Sequence, residues 1–247
     1  MNIKQYLDST YLKTAAQAGL TEKENNLIVE GFIQEAINEG FKLIMIRPNH
    51  VKTARQLISN AGSKLLIGTV ISFPEGTNSL EEKLTEAKKA IDDGVDELDF
   101  VCNYKAFKKG ESDLVKEEIL KGTQLAFDHH KAAKWIIEVA ALTDDQIIQL
   151  SALIKNVVMA NFKEDCYANV YVKSSTGFYV TENNKPNGAT KHTVIIMLEN
   201  ASPLPVKAAG GVRTYEEAEE MIRLGVKRIG TSAAKTIANG EIASGGY

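Results

Sequence analysis

Two lysines in this chain stand where a lysine is costly unless it has chemistry to do. Lys173 closes the apolar start of Asn169-Val-Tyr-Val-Lys-Ser-Ser-Thr-Gly-Phe178, and Lys207 sits in Pro205-Val-Lys-Ala-Ala-Gly-Gly-Val-Arg-Thr214. Each ends a short run of β type and is followed at once by small residues. Lysine is rarely buried without a partner or a task. The two are about one strand–helix–strand unit apart, so parallel neighbouring strands would aim both ammonium groups at one pocket. An ordinary lysine has a pKa of about 10.4, which leaves about one in 2,500 neutral at pH 7. Only the neutral amine attacks a carbonyl. A second cation about 5 Å away, at an effective dielectric of about 20, disfavours the charged form by about 3 kcal/mol. Burial acts in the same direction. The pair therefore suits Schiff-base chemistry, with one amine as nucleophile and the other tuning it. The plain alternative is two lysines whose stems lie along strand ends with their heads in water. The small residues after both argue against it.

An acid of the same kind appears in Asp96-Glu-Leu-Asp-Phe-Val101, where Asp99 is a carboxylate inside an apolar strand. It is either part of the chemistry or an ion pair holding a lysine in place. Asp8, near the end of the first β-type run, and Glu138, at the end of the fifth, are further acids that could face the same mouth.

The elements that must position these groups follow a repeated grammar. A helical stretch ends at glycine, and an apolar β-type run begins about two residues later. Glu35–Gly40 leads to Lys42–Ile46, Ala90–Gly94 to Asp96–Val101, and Met221–Gly225 to Lys227–Gly230. Glycine takes the left-handed position that ends a helix, and a short loop returns the chain to the sheet. Eight such runs are expected, over 5–10, 42–46, 65–71, 96–101, 134–139, 169–173, 205–208 and 227–230. Helical patterns between them include Thr21–Asn38, Leu80–Asp92, Ser112–His130, Thr143–Asn161 and Tyr215–Leu224. Thr143-Asp-Asp-Gln146 reads as a capping box. Strict alternation signals a parallel α/β architecture. Eight units in 247 residues fit a single-domain (β/α)8 TIM barrel. Residues 1–239 read as that barrel and 240–247 as a flexible tail. Such barrels carry active sites at the C-terminal ends of their strands.

Composition narrows the function classes. A net charge of −3 gives no nucleic-acid surface. No apolar run approaches the 18 or so residues that span a bilayer, and the first residues show no signal-peptide pattern. The two cysteines, Cys102 and Cys166, have no metal spacing and form no disulfide framework. None of the four histidines pairs at useful metal spacing. A reduced, cytoplasmic enzyme is the expectation.

Three turns rich in glycine and hydroxyls follow the last three runs. They are Ser174-Ser-Thr-Gly177, Gly210-Gly211 and Gly230-Thr-Ser232. Backbone N–H groups in such turns bind phosphate, and barrels often hold phosphate after their seventh and eighth strands. A phosphorylated substrate is expected.

These blocks together resemble the deoxyribose-phosphate aldolases, class I aldolases built on a (β/α)8 barrel. The specific ones are Asp96–Val101, Val172-Lys-Ser-Ser-Thr-Gly-Phe178 and Val206-Lys-Ala-Ala-Gly-Gly-Val-Arg-Thr214. Phe73-Pro-Glu-Gly76 and Ile137-Glu-Val139 add weaker support, and the match runs from Leu7-Asp-Ser-Thr10 to the last residue. The resemblance implies reversible cleavage of 2-deoxy-D-ribose 5-phosphate to D-glyceraldehyde 3-phosphate and acetaldehyde, with no metal and no organic cofactor. It implies Lys173 as the Schiff-base nucleophile, Lys207 as the cation that lowers its pKa and joins a proton relay, and Asp99 as a proton shuttle. Gly210, Gly211, Gly230 and Ser232 fall where the family holds phosphate. Asp8, Thr10, Thr176 and Gly177 are expected in the substrate site. Part of the family ends in a tyrosine that folds over the site, which implies that Tyr247 helps to protonate the enamine carbon. A homodimer is likewise implied. Another class I aldolase acting on a different phosphosugar, or a barrel that only binds a phosphometabolite, are the competing readings.

The chain departs from the family pattern at three places. Met45 replaces a common cysteine in Ile44-Met-Ile-Arg-Pro48. The loop 179–188 is longer than in many members, and Glu75 is acidic where many have an apolar residue or histidine. A thiol at position 45 would be open to aldehydes, so Met45 is expected to confer tolerance of them.

Overall fold

The computed structural model describes residues 2–182 and 185–240. Its eight strands are β1 (Leu7–Thr10), β2 (Leu43–Ile46), β3 (Leu66–Ile71), β4 (Glu97–Val101), β5 (Ala132–Ile136), β6 (Val170–Lys173), β7 (Val206–Ala209) and β8 (Arg228–Thr231). All pair in parallel with their sequence neighbours, and β8 pairs with β1 to close the barrel. The expected (β/α)8 barrel is the fold observed.

Ten α-helices are described around the strands. They are α1 (Ala15–Ala18), α2 (Glu22–Glu39), α3 (Val51–Asn60), α4 (Leu80–Asp92), α5 (Tyr104–Lys108), α6 (Ser112–Asp128), α7 (Asp144–Asn161), α8 (Lys191–Ala201), α9 (Tyr215–Leu224) and α10 (Ala234–Asn239). Helix starts are set by side-chain caps. Thr143 accepts from the Gln146 N–H while the Gln146 side chain accepts from the Thr143 N–H, as the sequence predicts. Thr14, Thr21, Ser79, Thr190 and Thr214 do the same for their helices. Helix ends turn on left-handed glycine, with φ of 66° at Gly40 and 118° at Gly225. No helix among the described residues is long and apolar enough to cross a membrane.

Strand alternation divides the side chains into two sets. The outward set, including Leu7, Ile44, Ile67, Leu98, Phe100, Trp135, Val172 and Val206, is buried against the helices in one apolar layer. Phe100 and Trp135 stack there at 4.8 Å, and Gly122 of α6 leaves the space their rings need, because a Cβ there would lie 2.8 Å from the Trp135 ring. The inward set is split. Leu43, Met45 and Val70 form an apolar cluster on the β2–β3 side. Asp8, Glu97, Asp99, Lys134, Lys173, Lys207 and Arg228 fill the other side, all buried. A barrel interior is usually packed with branched apolar residues, so this charged half marks where the site lies.

Three sequence expectations shift. The fifth strand ends at Ile136, so Glu138 is not at a strand end. It takes a left-handed backbone with φ of 59° and opens a 3₁₀ turn over Val139–Ala141. The first strand starts at Leu7, because Ile3–Gln5 forms a 3₁₀ turn. Met45 is fully buried inside the barrel, between register partners Thr10 and Gly68, and does not line the mouth.

Candidate active site

Lys173 and Lys207 are direct register partners on β6 and β7. The parallel pairing expected from the sequence is what brings them together. Each donates to the same atom, Asp99 Oδ2, at 2.8 Å and 2.9 Å. Asp99 lies in the middle of β4, and its other oxygen accepts from Lys134 Nζ of β5 at 2.9 Å. One carboxylate thus holds three ammonium groups. Burial would raise its pKa, but Lys134, Lys173 and Lys207 outweigh that and hold Asp99 well below the usual carboxylate range.

Lys173 is the group shifted towards reactivity. Its pKa is lowered to about 8, first by burial and then by the charges of Lys207 and Lys134, against the opposing pull of Asp99. The neighbouring cation is therefore a smaller cause than the sequence argument supposes. Geometry explains why. Lys207 Nζ also pairs with Asp8 Oδ2 at 2.6 Å, so its charge is already shared between two carboxylates.

Asp8 is not at the mouth. It is fully buried in the barrel, holding Lys207 on one oxygen and Arg228 on the other. Its carboxyl, which burial alone would raise, is lowered by Arg228, Lys207 and Lys134. Its position makes it a support for Lys207 and removes it from the substrate-lining set.

The remaining expected residues converge on one pocket at the C-terminal ends of the strands. Thr10, Thr176, Gly177, Gly210, Gly211, Gly230 and Ser232 line it together with Lys173. The β6 turn is built by Glu138, which accepts from Ser175 Oγ at 2.7 Å and from both the backbone and the hydroxyl of Thr176. Burial pushes the Glu138 carboxyl up while those hydrogen bonds pull it down, and the net shift is upward. Gly210 and Gly211 have φ of 77° and 85°, values that a side chain would strain. Gly230 has another task. A Cβ there would lie 3.1 Å from Lys207 Cε, so its missing side chain leaves room for the lysine stem.

Several site residues escape the sequence reading. Asn187, from the long loop after β6, lines the pocket and donates from Nδ2 to Gly177 O at 3.1 Å. Gly188 packs on the phosphate-type turn so closely that a Cβ would sit 2.5 Å from the Gly210 backbone. Leu12 and Arg213 also line the pocket. Lys134, Glu97 and Arg228 lie beneath it. The excess length of the loop was the only available signal for Asn187 and Gly188. Tyr247 lies outside the described residues.

No family model matches the chain. Curated relatives do. It is 37% identical over 241 residues to the deoxyribose-phosphate aldolase of Thermococcus gammatolerans, covering 97% of this chain and 96% of that one. It is 38% identical to that of Macrococcus caseolyticus over the full length of both. Among solved structures, the tetrameric deoxyribose phosphate aldolase from Aeropyrum pernix is 27% identical and superposes with a TM-score of 0.77, covering 96% of this chain and 89% of that one. Full-length identity at this level, on a barrel whose two register-paired lysines share one aspartate, has one reading: the chain belongs to the deoxyribose-phosphate aldolase family.

Proposed function

We propose that the chain cleaves 2-deoxy-D-ribose 5-phosphate to D-glyceraldehyde 3-phosphate and acetaldehyde, reversibly, with Lys173 as nucleophile. The observation that carries this reading is the Lys173 amine. It is buried, lines the mouth pocket and has a pKa of about 8, which gives it a useful neutral fraction near neutral pH.

The sequence of bonds follows. The neutral amine adds to C1 of the open-chain aldehyde, and loss of water leaves a protonated imine. A base takes the C3 hydroxyl proton, the C2–C3 bond breaks, and its electron pair moves to the imine nitrogen. D-glyceraldehyde 3-phosphate departs and a neutral enamine remains. Protonation at C2 and addition of water then release acetaldehyde and the free amine.

Asp99 and Lys207 flank this amine. With Asp99 so far below the usual carboxylate range, it acts in the free enzyme as a fixed anion rather than a proton donor. The Lys207 ammonium, 2.9 Å from it, supplies a proton to the departing hydroxyl of the carbinolamine. The protonated imine keeps an N–H and its positive charge beside Asp99, whose oxygen can relay protons once the neutral enamine forms and that charge is gone. The backbone at Gly210, Gly211, Gly230 and Ser232 holds the phosphate, and Thr10, Thr176 and Gly177 line the sugar path. Tyr247 joins the proposal on resemblance alone, as the group that protonates C2. So do a homodimer and a cytoplasmic setting.

Sodium borohydride with acetaldehyde tests the central step. A two-carbon adduct should map to Lys173. An adduct at Lys207 with Lys173 bare would overturn the assignment, and no adduct would return the barrel to a binding role. Tyr247→Phe should lower turnover while trapping at Lys173 continues, and sedimentation velocity reads the oligomeric state.

A further inference from the structure

The charged half of the barrel is a closed circuit. Asp99 pairs with Lys134, and Lys134 with Glu97. Glu97 Oε1 pairs with Arg228 Nη1 at 3.0 Å, and Arg228 Nη2 with Asp8 Oδ1 at 2.6 Å. Asp8 pairs with Lys207, which returns to Asp99. Carboxylate and cation alternate around six side chains from β1, β4, β5, β7 and β8. Three negative and three positive charges cancel.

Among the described residues, Lys173 is the one cation attached to this circuit from outside it, through Asp99. We infer that Glu97 and Arg228, on the far side of the circuit, are positioning residues that keep it closed and neutral and so set the charge felt by the Lys173 amine. This rests on Lys173 being the nucleophile.

A buried ion whose partner is removed leaves an uncompensated charge in a medium that screens weakly. Neither Glu97 nor Arg228 contacts Lys173 or lines the pocket. Both are nevertheless buried charges, 6% and 4% exposed, where apolar packing would serve stability equally well. Their partners, Lys134 and Asp8, are the groups that orient Asp99 and Lys207.

The other titratable groups facing Lys173 are Asp99 from β4, Lys134 from β5, Glu138 after β5 and Lys207 from β7. Tyr171 of β6 takes a hydrogen bond from Arg228. From β2 and β3 only the apolar Leu43, Met45 and Val70 point inward at this level. Removing Glu97 leaves the circuit with one excess positive charge, which disfavours the Lys173 ammonium. Removing the Arg228 charge leaves one excess negative charge, which favours it. The two substitutions therefore act in opposite directions on one amine, which a merely structural role cannot do.

The test is the pH dependence of Lys173 carbamylation by cyanate, read by peptide mapping on the full chain. Carbamylation requires a neutral amine but no imine, so it reports on Lys173 even if borohydride trapping fails and the aldolase reading with it. Glu97→Gln should move the midpoint down by about one pH unit and Arg228→Gln should move it up by about one. The double variant should restore the wild-type midpoint. Arg228→Lys, which keeps the charge, should leave it in place. Shifts in the same direction, no shift in a folded single variant, or a double variant that does not return would overturn the inference. Where a single variant does not fold, the double variant and Arg228→Lys decide, and a displaced midpoint in either counts against it.

Discussion

Lys173 and Lys207 donate to the same oxygen of one buried aspartate, at 2.8 Å and 2.9 Å. They are therefore not two repelling cations in an empty pocket. They share an anion, and their difference lies in what else they touch. Lys207 has Asp8 as a second partner, whereas Lys173 is paired, among the described acids, with Asp99 alone and faces the mouth.

Lys207→Leu should raise the Lys173 pKa above about 8, because Asp8 and Asp99 lose a shared cation. The acid limb of the pH–rate profile then moves to higher pH, and activity at pH 7 falls by about a hundredfold or more. A profile that keeps its limb while losing amplitude would leave Lys207 with proton transfer alone.

Asp99→Asn should cost stability as well as activity. Three lysines lose their common anion, and breaking such a buried cluster costs about 3–5 kcal/mol. From the sequence alone, a catalytic and a structural Asp99 are alternatives. With three lysines attached, the structural role holds beside the proposed catalytic one. Since its folded pKa is depressed, its contribution is present above the unfolded value of 3.8 and lost as pH falls towards the folded one. Thermal unfolding of the wild type and the variant at pH 7 and below 3 should therefore differ most at pH 7.

Lys173→Met should abolish turnover and stabilise the fold. A pKa lowered from 10.5 to about 8 means that charging Lys173 in the folded state costs about 3 kcal/mol. Here the folded pKa of a base is depressed, so the penalty is full below pH 8 and vanishes above 10.5. The gain in melting temperature should shrink across that window. The value of about 8 already includes the attraction of Asp99, so equal stability at pH 7 would mean that the charged Lys173 carries no net penalty in the fold.

Gly188→Ala should damage phosphate binding selectively. The new Cβ would meet the Gly210 backbone at 2.5 Å, and backbone cannot swing aside as a flexible side chain can. KM for the phosphorylated substrate should rise at least tenfold, while any activity on unphosphorylated 2-deoxyribose should stay nearly unchanged. Parallel losses on both substrates would place the turn elsewhere in the reaction.

Unsaturated aldehydes should modify Cys166 before Cys102. Cys102 is fully buried, and burial pushes its thiol up, whereas Cys166 is half-exposed. Met45 offers no thiol, and its burial removes the position from contact in any case. Crotonaldehyde should leave activity largely intact, with adducts mapping to Cys166. Rapid inactivation with an adduct at Cys102 would contradict this.

Much of the site could be read from local sequence, because its parts are local. A lysine ending Val-Tyr-Val and another inside Pro-Val-Lys-Ala-Ala, each followed by small residues, mark strand ends whatever the rest of the chain does. The Gly40 and Gly225 helix stops and the Thr143 cap are equally local, so the periodicity determined the barrel. The tertiary structure decided the electrostatics. Arg228 meets Asp8 220 positions away, and Glu97 131 positions away. Glu97 opens β4 and Lys134 lies in the middle of β5, and nothing beside them in sequence names a partner. Coulomb energy depends on distance in space, and closure of the barrel set those distances. The same closure moved Asp8 and Met45 from the expected mouth to the interior. It also made burial, more than the neighbouring lysine, the main cause of the lowered Lys173 pKa.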